Sequence, residues 1–198
     1  MILQFRVILL LSFAIPKLAL ADSVQTPIPR ISTAREFPFI FVMVPEVRDE
    51  SGKIRSEARG TAYMVTPDGT FQQQWTVSGW FAWETYLSED GRYLIRKGLW
   101  PEGAAPSKND LAVAFYDNGK LIRSYSTADL IKDPKAVRVS VSHYDWELPE
   151  DSDRQIRVYI EATFALKTIE GVKYTFDVRT GNILKKESFP VSEKRIRK

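Results

Sequence analysis

Cysteine is absent from all 198 residues. That removes disulfides, thiolate metal sites and a cysteine nucleophile in one step. Histidine occurs once, at His143, so a zinc site built on two imidazoles is excluded as well. There is no G-x-S-x-G nucleophile elbow and no Gly-rich phosphate loop; neither an α/β-hydrolase signature nor a nucleotide cofactor is expected. No motif implies a metal. An excess of one charge is also missing: 28 Lys and Arg stand against 25 Asp and Glu, a net +3. A nucleic-acid binder carries a larger or better clustered basic excess, so no nucleic-acid partner is expected. Nothing in the composition fixes an oligomeric state.

What remains is a globular composition, with 44% apolar, 27% charged and 12% aromatic residues. A chain of this length buries a real core without covalent staples. Residues 1–21 read as a signal peptide. Arg6 supplies the positive end, Val7 to Ile15 the short apolar run, and Ala19-Leu20-Ala21 the small-residue cleavage signal. Pro16 and Lys17 interrupt the run too early for it to span a bilayer comfortably, and a retained N-terminal anchor is the alternative. Cleavage after Ala21 takes away Arg6 and Lys17, leaving 26 basic residues against 25 acidic, a net +1. The expectation is a periplasmic or secreted protein, not integral to the membrane once the leader is removed.

Residues 22–37, with Pro27 and Pro29, read as an N-terminal arm, residues 38–189 as a β-domain, and residues 190–198 as a basic tail. Period-two alternation dominates the β-domain. Phe39 to Val44 is apolar on both faces, as in a buried central strand. Ile156, Val158, Ile160, Ala162, Phe164 and Leu166 alternate with mostly polar neighbours, as do Val172, Tyr174, Phe176 and Val178. Asp68-Gly69, Asp90-Gly91 and Asn118-Gly119 are strong hairpin signals between such runs. One helix is expected near Ala128 to Lys132, capped by Ser126 or Thr127 and stopped by Asp133-Pro134. The fold class is all-β, an antiparallel meander of about ten to twelve strands with one short helix.

Three turn phrases, LSEDGRYLIR (Leu87 to Arg96), FYDNGKLIRSYS (Phe115 to Ser126) and FDVRTGNIL (Phe176 to Leu184), resemble β-propeller blade hairpins of the WD40-like and PQQ-repeat kinds. Together they resemble a group of uncharacterised exported bacterial proteins with no named activity. The resemblance implies an incomplete propeller-like arrangement. A full propeller needs blades of roughly 40 residues, and the turn spacing here is irregular. A curved open sheet or a sandwich also fits.

Continuing the alternation of Val137, Val139 and Val141 places His143 inward, and Tyr144 and Trp146 on the other face. His143 then reads as a hydrogen-bonded core or rim residue, with a general base as the sharper alternative. Asp145, Glu147, Glu150, Asp151 and Asp153 crowd one loop. Their spacing lacks the glycine of a calcium loop, so a solvated hairpin tip is expected.

Four of the five tryptophans lie between Trp75 and Trp100. Trp75, Val77, Phe81, Trp83 and Leu87 share a core face, while Trp80 and Tyr86 fall opposite, beside polar residues. Aromatic rings in such a place form either more core or a binding platform. Gly79 is positioned to reset the faces. The segment GLWPEGAAPSKND, Gly98 to Asp110, is a long loop of the functional or mobile kind; Trp100-Pro101 is placed as a plug over the core or a lip beside the aromatic face. The basic residues from Lys185 onward suit an acidic partner or a solvated tail.

These features favour a non-enzymatic exported β-domain that binds a protein or an envelope polymer through Trp80, Tyr86, Trp100, Tyr144 and Trp146. The alternative is an exported hydrolase acting on a glycan or ester with His143, Asp145 or Glu147 in its site, because paired carboxylates suffice for glycoside hydrolysis.

Overall fold

The computed structural model describes residues 25–34, 36–148 and 162–191. The signal-peptide reading, most of the acidic loop and the basic tail lie outside these residues. So do the first half of the alternating run at Ile156 and the beginning of the N-terminal arm.

The chain is all-β and antiparallel, with fifteen strands among the described residues, more than the ten to twelve expected. The surplus comes from two-stranded ribbons too short to show a period. The first sheet begins with β1 (Arg30–Thr33) and β2 (Phe39–Val44). A small ribbon of β3 (Val47–Arg48) and β4 (Ile54–Ser56) interrupts the meander. The sheet then continues with β5 (Arg59–Val65) and β6 (Phe71–Ser78), in the order β1-β2-β5-β6. The second sheet is a continuous meander of β7 (Thr85–Leu87), β8 (Tyr93–Lys97), β9 (Leu111–Asp117) and β10 (Lys120–Ser126).

Asn118 and Gly119 join β9 to β10 with φ of 46° and 78°. That is the two-residue turn with both central residues left-handed, which suits the twist of the flanking strands. A Cβ on Gly119 would sit 2.5 Å from the carbonyl oxygen of Thr76, so this turn also packs against the first sheet.

Next come a single-turn helix α1 (Thr127–Leu130), a 3-10 turn at Pro134–Ala136 and a ribbon of β11 (Arg138–Val139) and β12 (Tyr144–Asp145). Of the two caps the sequence offers, Ser126 is the one used, in a reciprocal box with Asp129, and the helix begins and ends earlier than the expected Ala128 to Lys132. The third sheet is β13 (Thr163–Lys167), β14 (Val172–Asp177) and β15 (Ile183–Ser188).

The three sheets stack face to face with the second in the middle. One core joins Phe41, Met43 and Trp75 of the first sheet to Leu94, Ala114 and Tyr116 of the second. The other joins Ile95, Val113 and Phe115 to Phe164, Tyr174 and Phe176 of the third. From Val113 to Tyr116 successive residues of β9 enter alternate cores, and Ala112 to Tyr116 are all buried. β8 and β9 of the middle sheet are covered on both faces. In β2 Phe41 and Met43 are buried but Ile40, Val42 and Val44 are only half-buried, because the first sheet is an end layer. The hydroxyl of Ser32 on β1 donates to the carbonyl of Thr85 at 2.8 Å, which ties the first two sheets together at one edge.

Candidate functional site

The end of β2, the approach to β7, the end of β8 and β12 converge at one end of the stack. Between them lies an open cleft of about 750 Å³. Its lining includes Trp83, Trp100, Tyr144, Asp145, Trp146 and Glu147. Ligand clefts in proteins have this size and this mixture of apolar wall and few polar groups.

The floor is built around Lys97. Alternation along β8 puts Tyr93, Ile95 and Lys97 on one face, and the lysine side chain is only 9% exposed. Its ammonium pairs with Glu147 and lies 5.0 Å from the ring centroid of Trp146. A buried cation needs such compensation. Tyr144 is fully buried beside it. Its hydroxyl donates to Asp110 Oδ2 at 2.7 Å and is 2.7 Å from Thr127 Oγ1. Burial, reinforced by Asp110, pushes the phenol up to about 12.

The long loop forms a lip of this cleft. Its start is held by the Tyr144 amide, which donates to the Pro101 carbonyl at 3.3 Å, and by a bridge between Glu102 and His143. Its end is held by Thr127, whose hydroxyl accepts from the Ser107 amide at 2.9 Å and donates to the Ser107 carbonyl at 3.1 Å. Pro101 is buried, while Trp100 remains 46% exposed. One face of the Trp100 indole is stacked on His143, with centroids 3.9 Å apart and planes at 18°.

His143 is 6% exposed, but not through the alternation read from the sequence. Ser140 donates to the His143 carbonyl at 2.7 Å, closing a turn where a continuous strand is expected. Val139 and Val141 are exposed, so they do not share the histidine's environment. Trp100 buries the imidazole instead. Its Nδ1 lies 3.3 Å from Ser142 Oγ and its Nε2 3.8 Å from Asp145 Oδ1.

Of the aromatic residues singled out in the sequence, Trp100, Tyr144 and Trp146 meet in the cleft, together with Asp145 and Glu147. Trp80 and Tyr86 lie elsewhere. Gly79, at φ 81°, ends β6 and resets the faces. Trp80 is then half-buried against Tyr116, with the Arg96 guanidinium 4.2 Å from its ring centroid. Tyr86 packs on Phe164 in the other core and donates its hydroxyl to Glu84 at 2.9 Å. It borders a smaller hollow of about 320 Å³ that shares Trp83 and Glu84 with the main cleft.

Sequence reasoning missed Lys97, and the role of Trp83 at the cleft wall. A lysine on the inward side of a strand that otherwise reads Tyr-x-Ile was the available signal for Lys97. Trp83 shows both characters, packed edge-on against Phe81 at 5.2 Å and open to the cleft.

Among the described residues no group of three or more His, Asp or Glu is placed to hold a metal ion, and no helix is long and apolar enough to cross a membrane. No protein-family model and no curated protein matches the chain. Among solved structures it is similar to the periplasmic gluconolactonase of Pseudomonas aeruginosa, at 17% identity and a TM-score of 0.32. The match covers 82% of this chain and 57% of the length of that one.

Proposed function

We propose that the chain is an exported binding module that takes up a segment of an envelope polymer or of a protein in the cleft beneath Trp100, without turning it over. The observation that carries this reading is the wall itself. An exposed indole is fixed in place by His143 behind it, and the buried cation of the floor is already paired with Glu147. A preformed, partly apolar surface with satisfied polar groups is suited to holding a ligand. The signal-like residues 1–21 support export. Stacking of short antiparallel meanders face to face is how successive propeller blades pack, which supports reading the fold as an open, incomplete propeller.

One observation favours the hydrolase alternative: Asp145 and Glu147 both line the cleft. Against it, Glu147 is tied to Lys97 and His143 is covered by Trp100. Among the described residues, nucleophile, base and oxyanion donors are not assembled around one point. The test is capture from a cell-envelope extract by the immobilised chain and by its Trp100→Ala and Leu121→Ser variants. Leu121 is exposed on β10, away from the cleft. Capture lost in Trp100→Ala, kept in Leu121→Ser and releasing unaltered material supports the proposal. Cleaved products in the eluate, suppressed by Asp145→Asn, establish the hydrolase instead.

A further inference from the structure

Resting on that binding reading, we infer that the occupant of the cleft is a neutral glycan chain, with one sugar ring stacked on Trp100. One indole face lies on His143, with centroids 3.9 Å apart, and the residue still keeps 46% exposure. An aromatic face is electron-rich. It complements the polarised C–H groups on the apolar side of a pyranose. The ring is already held in orientation, so little conformational freedom is lost on stacking. Leu99, 47% exposed beside it, extends the apolar strip along the same lip.

The edge of a sugar ring carries hydroxyl donors, and the cleft offers matching acceptors. Glu46, Glu84 and Asp145 line it, and the side chains of Glu46 and Asp145 keep 33% and 43% exposure. Carboxylates accept several hydrogen bonds each, and those to a charged group are the stronger kind.

The same charges exclude two rival occupants. The lining holds four carboxylates, counting Glu147, against two cations, Arg48 and Lys97. Lys97 is already neutralised by Glu147, and Arg48 by Glu46 at 2.5 Å; Asp145 has the Arg138 guanidinium 3.4 Å away, just outside the lining. A polyanion such as a uronate or phosphate polymer meets a lining whose two cations are already paired with carboxylates. A proline-rich peptide also docks on aromatic grooves. Its backbone, however, lacks N–H donors at every proline and leaves the carboxylates without partners.

The test titrates the full chain with cellohexaose, chitohexaose, polygalacturonate and decaproline, followed by tryptophan fluorescence and calorimetry. Saturable binding of a neutral hexasaccharide is expected. Trp100→Ala should weaken it roughly tenfold, the scale of one good aromatic contact, and Trp100→Phe less. Asp145→Asn should weaken it while leaving the unfolding transition in place. Binding of decaproline or polygalacturonate with both neutral oligosaccharides silent overturns the glycan assignment, as does a neutral oligosaccharide that binds Trp100→Ala as tightly as the parent. Envelope capture that depends on Trp100 while neutral glycans are silent refutes the glycan and keeps the binding reading. Capture that does not depend on Trp100 refutes the binding reading itself.

Discussion

Replacing Glu147 by Gln breaks the one ion pair at the floor of the cleft and leaves the Lys97 ammonium without its anion. The lysine side chain is 9% exposed and the carboxylate 20%. Removing one member of a buried pair costs about 3–5 kcal/mol, because a charge is left uncompensated. The Trp146 face, 5.0 Å from the ammonium, remains and offsets on the order of 1 kcal/mol. The expected loss for Glu147→Gln is therefore about 2–4 kcal/mol. With a urea slope of roughly 2 kcal/mol per molar, the midpoint falls by about 1–2 M.

The reciprocal change is milder. Lys97→Met strands a carboxylate that the open cleft can rehydrate, at a cost of about 1 kcal/mol. The double change Lys97→Met with Glu147→Leu should lie within about 1 kcal/mol of the parent, since apolar replacement of a whole buried pair is close to neutral. Urea unfolding of the four proteins decides the matter. Equal losses for the two single variants, or a double variant as unstable as Glu147→Gln, would refute the view that the buried lysine is the costly partner.

Other consequences concern the packing that holds the cleft in place. Gly60→Ala puts a Cβ 2.1 Å from Cζ of Phe41, which is fully buried and has nowhere to move; a loss of about 1–3 kcal/mol is expected, read as a lowered melting temperature. Tyr144→Phe deletes the donor to Asp110 and the contact with Thr127, for about 1–2 kcal/mol in urea unfolding. The Tyr144 phenol is raised from 10.0 to about 12, so its contribution to stability is complete below about pH 10 and is lost as pH rises through about 12. That alkaline slope should be absent from Tyr144→Phe. Ser126→Ala removes the cap of α1 and should cost about 1 kcal/mol, visible as an earlier urea midpoint.

The layers of the fold were legible where a physical period repeats often enough. β13 and β14 bury Phe164, Leu166, Tyr174 and Phe176, the residues their alternation assigns inward. The helix cap at Ser126 was legible, as one of two candidates with Thr127, because a hydroxyl side chain just ahead of a helical segment is a local capping signal. His143 was read as inward and is buried, yet for a different reason. A turn at Ser140 to His143 breaks the strand, and Trp100, 43 positions upstream, supplies the cover. A contact of that separation leaves no periodic trace. The platform at Trp80 and Tyr86 was not assembled because residues 79–84 between β6 and β7 are not strand, so the period breaks and the two rings join different cores. The pairing of Lys97 with Glu147 is likewise long-range, and only the inward position of the lysine hints at it.

The most direct test of the cleft as the binding surface is oxidative footprinting of the full chain, free and saturated with the envelope material it captures. Protection confined to Trp100, Trp83 and Leu99, with Leu121 and Leu184 equally reactive in both states, is the predicted result. Unchanged reactivity of Trp100, with protection instead at Ile31 and Phe71 on the first sheet, would contradict it.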